Sequence, residues 1–397
     1  MEFPHWRRNL VMLAVGCFVA QTAFSIVVAF LPQYLIALGL KENQGFWSGA
    51  AISVSSLTYA LVAPLWGSLA DRVGKRAMLV RSGVGIAICY ALTGLAHSHV
   101  QVFLFRALMG LVSGYIPSAT ILTATNTPEE HLASSLGVLQ TAVSIGTIAG
   151  PFVGGAVAEW VGYRGVFLVA AVLIFGATVV PVALVRERVS RAKAAAGVGT
   201  GLRSAWTDPA LRRLFAAHFL AQAALQIVQP TLPLWIGRLV HQRVALITGL
   251  IYSLMGISMA LGAALAGRRA NRWGGEVLFR SAFGLAAALF VLQGLARTVW
   301  TLAGFRFLAG FAVAGITVAG NLLVARAASP EGRGMAFSVL NAVIGVGGVA
   351  GPVLGGVLGD RLGLASPFFG GALLYALAAV GLASPLPWPR REISRAG

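Results

Sequence analysis

Three side chains stand where an apolar environment makes charge expensive. Arg106 and Arg306 each lie inside a long apolar run, and His218 lies inside a third. A guanidinium near the middle of a membrane costs about 2.5 kcal/mol or more on insertion scales, so each arginine must face a cavity or a polar partner. Snorkelling to the nearer interface is the alternative. His218 is the one in-span group that changes charge near neutral pH, although a lone histidine near a span end is more often packed or interfacial. All 12 acids fall in loops or at span ends. No buried carboxylate is offered to take up a proton or to attract lipophilic cations. A cavity with arginines but no carboxylates at depth should prefer neutral or anionic amphiphiles.

Large amides form a second set. Gln222, Gln226 and Gln229 fall at i, i+4 and i+7 of one run. At an offset of 201, Gln222 and Gln226 correspond to Gln21 and Ser25, and Asn341 corresponds to Gln140. Polar groups at hydrocarbon depth should face protein or water, so this paired stripe is the expected substrate cavity. Interhelical hydrogen bonding, worth ~0.6 kcal/mol each, is the plainer alternative for any one amide. Tyr34, Tyr59, Tyr115, Trp235 and Tyr252 are weaker candidates, since aromatics near span ends commonly anchor at the interface.

The elements that must position these groups are helices. Of 397 residues 57% are hydrophobic and 11% are charged, far below the ~25% charged of a soluble domain. Twelve apolar stretches, the first starting near residue 10 and the last ending near 387, have membrane-crossing length. Only helices satisfy their own backbone in lipid. The first stretch is too long for a cleavable signal peptide, which is therefore not expected. Cys17 and Cys89 both lie in apolar runs, so no disulfide is expected. The net charge of +18 is spread over short loops, which excludes a continuous nucleic-acid-binding face. With the N-terminus inside, 22 of the 30 Lys and Arg lie on the inner side and six on the outer, placing both termini in the cytoplasm.

The chain also repeats itself. Gly67-x-x-Ala-Asp-Arg-x-Gly74 returns as Gly267-x-x-Ala-Asn-Arg-x-Gly274. Phe105-Arg-Ala-Leu-Met-Gly110 returns as Phe305-Arg-Phe-Leu-Ala-Gly310, and Gly146-x-x-x-Gly-Pro-x-x-Gly-Gly155 as Gly347-x-x-x-Gly-Pro-x-x-Gly-Gly356. The organisation expected is a six-helix bundle over 1–185, a cytoplasmic linker over 186–211 and a second six-helix bundle over 212–397. Two parallel repeats of this kind build a rocking transporter. Gly146, Gly150 and Gly154 with Pro151, and Gly347, Gly351 and Gly355 with Pro352, form smooth helix faces. They are expected at the seam between bundles.

The loop from Gly67 to Arg76, the arginine of the fourth span and the Gly-Pro pattern of the fifth resemble the major facilitator superfamily, in its twelve-span drug:proton antiporter branch. The resemblance implies an all-α membrane protein of two pseudo-symmetric six-helix bundles working by alternating access. It implies that Arg106 belongs to the proton-coupling machinery; read from the residues themselves, Asp71 and His218 are the further coupling candidates. It implies a cytoplasmic latch built from Gly67, Asp71, Arg72, Gly74, Lys75 and Arg76, with Asn271 and Arg272 as the second copy. Because Asn271 replaces the acid, the first copy should be the stronger latch.

The function expected is proton-coupled efflux of small amphiphilic molecules by a monomer in the inner membrane, with no cofactor and no metal. An uptake permease for a small polar solute such as a sugar, and a non-transporting membrane sensor, are the competing readings. The six histidines are scattered singly, without ligand spacing, and neither a nucleophile elbow nor a phosphate loop is present, so an enzyme is not expected.

Overall fold

The computed structural model describes residues 5–184, 208–329 and 332–382; the side chains of 68, 71–72, 180–184 and 270–273 also lie outside the described set. Most of the linker therefore lies outside it. The described chain is helical: α1 (Trp6–Ala37), α2 (Gln44–Val73), α3 (Lys75–Gly94), α4 (His99–Val112), α5 (Tyr115–Asn126), α6 (Glu129–Leu184), α7 (Pro209–Gln226), α8 (Leu232–Leu239), α9 (Val244–Trp273), α10 (Gly275–Gly294), α11 (Val299–Ala327), α12 (Arg333–Leu362) and α13 (Ser366–Gly381).

Nine helical stretches of the described residues are long and apolar enough to cross a membrane. The 56-residue α6 is about 84 Å long at 1.5 Å per residue, more than twice a ~30 Å hydrocarbon core. It is broken at Gly162, whose φ of 70° only glycine takes up without strain. Large apolar side chains face outward all round, among them Val172, Leu373 and Val380, as lipid contact demands. Trp160 and Trp300 are almost fully exposed near helix ends, the place of interfacial anchors.

Each half has its own apolar core. The first gathers Leu13, Tyr34, Tyr90, Val102 and Phe167; the second gathers Phe215, Phe283, Phe290, Leu302 and Tyr375. A third, smaller cluster joins the halves around Ile26, Phe30 and Ala245.

The halves meet along two seams, α2 against α12 and α6 against α9. Both use the same devices at matching positions. The Ser53 hydroxyl donates to the Val349 carbonyl at 2.6 Å, and the Ser253 hydroxyl donates to the Ile148 carbonyl at 2.6 Å. Gly49 faces the Pro352 carbonyl and Gly249 faces the Pro151 carbonyl, with no room for a Cβ at either site. Both seams lie toward the ends of the bundles away from the N-terminus, since they use the starts of α2 and α9. At the other end of α2, nothing among the described residues comes within 4 Å of where a Gly67 Cβ would stand.

Two expected spans are discontinuous. The fourth is broken between α4 and α5 at Ser113–Gly114, with Gly114 at φ 134°. The seventh is broken between α7 and α8, where Pro230 and Pro233 remove backbone donors and obstruct a continuous helix. Their counterparts α11 and α1 run unbroken.

Candidate functional site

Arg106 is 1% exposed on α4. Its Nε donates to the Ala51 carbonyl at 3.2 Å and its Nη1 lies 3.4 Å from the Met109 sulfur, while Nη2 has no hydrogen-bond partner. The Tyr90 side chain stands beside the guanidinium and interacts with it, while its hydroxyl donates to no protein acceptor among the described residues. Snorkelling is thereby excluded: the charge is held inside the bundle.

Arg306, at the matching place on α11, is 3% exposed. It is handled differently. Its Nη1 donates to Gln293 Oε1 at 3.2 Å, and its guanidinium lies 5.9 Å from the Tyr252 ring centre. A neutral amide thus takes one nitrogen of the second half's guanidinium, while Nε has no hydrogen-bond partner. Among the described residues the ion pairs are His131–Glu130 and Arg280–Glu276, so neither buried arginine meets a carboxylate there.

Beside Arg106 lies a cavity of about 240 Å3, walled by Gln21, Tyr59, Tyr90, Met109 and the broken segment Ser113–Tyr115. Of the predicted amide set, Gln21 reaches this cavity; its Nε2 donates to the buried Ser25 hydroxyl at 3.4 Å. Gln222 and Gln226 are half-buried, packed beside Gly347 and Gly351. Gln140 and Asn341 are exposed and do not join the cavity wall. Gln229 does not continue the stripe of Gln222 and Gln226, because α7 ends at Gln226. Gln229 lies in the break, where its carbonyl accepts from the Tyr252 hydroxyl at 3.2 Å.

The glycine stripes also need correcting. Gly146, Gly150 and Gly154 pack against α1, at Phe18, Gln21, Ser25 and Phe30, inside the first half. Gly347, Gly351 and Gly355 pack against Phe219, Gln222, Ala223 and Ile227 inside the second. Only Pro151 and Pro352, together with Gly155 and Gly356, reach the inter-bundle seams. The reason is geometric: one residue along a helix turns the face by about 100°, so the neighbouring stripe meets the other bundle.

Tyr115 is likewise no interface anchor: it is buried, and its hydroxyl donates to the Ala177 carbonyl at 2.5 Å. His218 is buried against Phe279 and Gly320, with Nδ1 2.8 Å from the Leu214 carbonyl and Nε2 without a partner. It is packed between helices of one half and outside the cavity wall.

In the loop after α2, Lys75 is buried and Arg76 half-buried, and Gly74 turns the chain at φ 102°. The side chains of Asp71, Arg72, Asn271 and Arg272 lie outside the described residues. Arg81 is part of α3. It stacks on Trp66 with its guanidinium carbon 3.5 Å from the ring centre, and its Nη2 donates to the Ser113 carbonyl at 3.3 Å. The Trp66 indole N–H donates to the Leu111 carbonyl at 2.7 Å. Arg81 and Trp66 together satisfy carbonyls at the end of α4. A lone cation five residues into the otherwise charge-free run Ala77–Ala96 was the available signal.

Asp360 was also missed. Its two carboxylate oxygens accept from the backbone N–H groups of Gly45 at 2.9 Å and Phe46 at 2.7 Å. It therefore caps α2 from the other half of the molecule, where the helix's own cap residue Asn43 supplies no side-chain bond. The sequence signal was an acid four residues past Gly356, matched by Glu159 four past Gly155. Glu159, however, is exposed and makes no hydrogen bond to the start of α9 among the described residues.

Comparison with known proteins decides the family. The family model for the Major Facilitator Superfamily matches residues 13–292 and 214–396. The chain belongs to the Major Facilitator Superfamily. Multidrug resistance protein MdtG of Proteus mirabilis is 32% identical over 372 residues, covering 92% of each chain. MdtG of Citrobacter koseri is 33% identical over 371 residues, covering 92% of this chain and 91% of that one. Among solved structures, a bacterial homolog of the human lysosomal transporter Spinster, inward-facing and occupied, matches with a TM-score of 0.80 at 15% identity, over 96% of each chain. This facilitator-family fold is the all-α, multi-pass architecture expected from the apolar spans and the repeat.

Proposed function

We propose that this facilitator-family chain is a secondary active exporter. It carries small amphiphilic molecules, neutral or anionic in preference, out of the cell by proton-coupled alternating access. The observation that carries this reading is the similarity to the MdtG multidrug resistance proteins over nine-tenths of the chain. The charge preference rests on buried arginines without carboxylate partners among the described residues.

The organisation proposed is twelve crossings in two bundles, 1–185 and 212–397, joined by a linker over 186–211. The chain acts as a monomer in the inner membrane with both termini cytoplasmic. In that orientation the two seams close the outer side, and the conformation is open to the cytoplasm. The latch at Asp71 and Arg72 then belongs to the opposite, outward-open state. Coupling is assigned to Asp71 and Arg106, with His218 as the in-span titratable group.

Transport into inverted membrane vesicles under an imposed pH gradient, screened over a small panel of amphiphiles, tests the reading. Uptake should need the gradient, collapse with a protonophore and be lost in Asp71→Asn. Asp208→Asn should be nearly silent, because Asp208 only caps α7 by accepting from Ala210 and Leu211 N–H, which an asparagine side chain also does. Gradient-independent equilibration would replace export by facilitated diffusion.

A further inference from the structure

The cavity of the first half brings several hydrogen-bond donors together. Tyr90 is 1% exposed, lines the cavity and lies beside the Arg106 guanidinium, which can only donate to it, so its own hydroxyl hydrogen is left to donate. Behind it Arg106 keeps Nη2 unpartnered. Arg81 approaches from the other side. Its Nη2 lies 3.6 Å from where a Cβ on the cavity-lining Gly114 would stand, and its buried Nε and Nη1 are unpartnered. A fourth element is the start of α5, which opens on the cavity at Gly114–Tyr115 after the break. A half-helix that begins at membrane depth presents free N–H groups and the positive end of its dipole.

All of these groups donate and two are cationic. Unpaired buried charge is strongly unfavourable, and a carboxylate that accepts from several donors relieves it. The second half has no equivalent. There Gln293 accepts from Nη1 of Arg306 and leaves its Nε without a partner, but Phe290 stands at the position of Tyr90 and α11 runs unbroken past the matching point.

We propose that this cavity is an anion subsite, in which the acid group of the exported amphiphile is held by the Tyr90 hydroxyl and the start of α5, with Arg81 and Arg106 supplying the positive potential. The apolar remainder of the wall, including Phe24, Ile86 and Ile174, receives the body of the molecule. This rests on the export reading for its substrate and sharpens it to one half of the protein and to one chemical group.

The test is equilibrium binding to the full chain in lipid nanodiscs, using 2-naphthoate and its neutral isostere 2-naphthamide. The wild type should bind the carboxylate roughly tenfold more tightly, the worth of one or two hydrogen bonds to a charged group. Tyr90→Phe should remove most of that preference, weakening naphthoate far more than naphthamide, because the hydroxyl donates more strongly to a carboxylate than to a neutral amide. Arg106→Lys, which keeps the charge but shortens its reach, should reduce the preference part-way. Equal affinity of the wild type for the two probes, or no naphthoate binding, overturns the subsite. So does a Tyr90→Phe variant that weakens both probes alike. The vesicle assay decides export separately, so a failed subsite leaves that reading standing and a failed export assay leaves the binding result interpretable.

Discussion

The two seams begin from the same solution and end differently. Each pairs a serine hydroxyl with a carbonyl of the facing helix at 2.6 Å, and each sets a glycine against the carbonyl of a proline one residue past the glycine stripe. Only the α2–α12 seam adds a charged tie, from Asp360 to the first N–H groups of α2. On the α6–α9 side the matching acid, Glu159, faces solvent. Hydrocarbon does not drive helices together, so such contacts hang on packing and on a few hydrogen bonds. The difference teaches that one seam adds an ion to the shared packing and serine hydrogen bond, and the other has those two alone. The first should therefore be the one that responds to changes of charge.

Three sets of variants break or sharpen this comparison. The largest effect should come from Gly49→Val and Gly249→Val, since each new side chain meets facing backbone that cannot yield. Both should abolish the closed seam to the same degree, read as a loss of the short-distance population between spin labels placed on the two halves. Asp360→Ala comes next. It removes two bonds to a helix start at an exposed site, worth about 1 kcal/mol after screening, or roughly a fivefold shift toward the open seam. Glu159→Ala should leave the populations unchanged, and an equal response would erase the asymmetry. The smallest effect belongs to Ser53→Ala and Ser253→Ala, at ~0.6 kcal/mol or about threefold each. Equal shifts would show that the shared part of the two seams is energetically shared as well.

Much of the fold was legible because its causes are periodic. Apolar runs of membrane length, cations concentrated in every other loop and three motifs repeated at a near-constant offset leave little freedom in the architecture. The site was less legible, because its decisive features come from discontinuity and orientation. The Gly146–Gly150–Gly154 stripe was visible as a smooth face, but spacing along one helix does not say which neighbour that face meets. It meets α1, and the seam falls to Pro151 and Gly155 one residue on. The break at Ser113–Gly114 was hidden in a sequence apolar enough to read as continuous helix. With it was hidden the reason for Arg81, which looked like one more positive charge of a cytoplasmic turn. The amides were found, but treating them as one lining was too simple: Gln21 reaches the cavity, while Gln229 sits in a helix break. Asp360 was set aside as a span-end acid because its partners are backbone groups some 315 residues away, which no local pattern encodes.

The stacking of Arg81 on Trp66 has an optical consequence. An indole with a cation 3.5 Å from its ring centre and its N–H held by the Leu111 carbonyl has an emission governed by that one charge and that one bond. Both are anchored at the interruption between α4 and α5. Any event that re-forms or widens the interruption moves the charge relative to the ring. Trp66 is therefore a built-in fluorophore for the state of the fourth span, readable in the unlabelled protein once the signal of the other eight tryptophans has been subtracted with a Trp66→Phe reference.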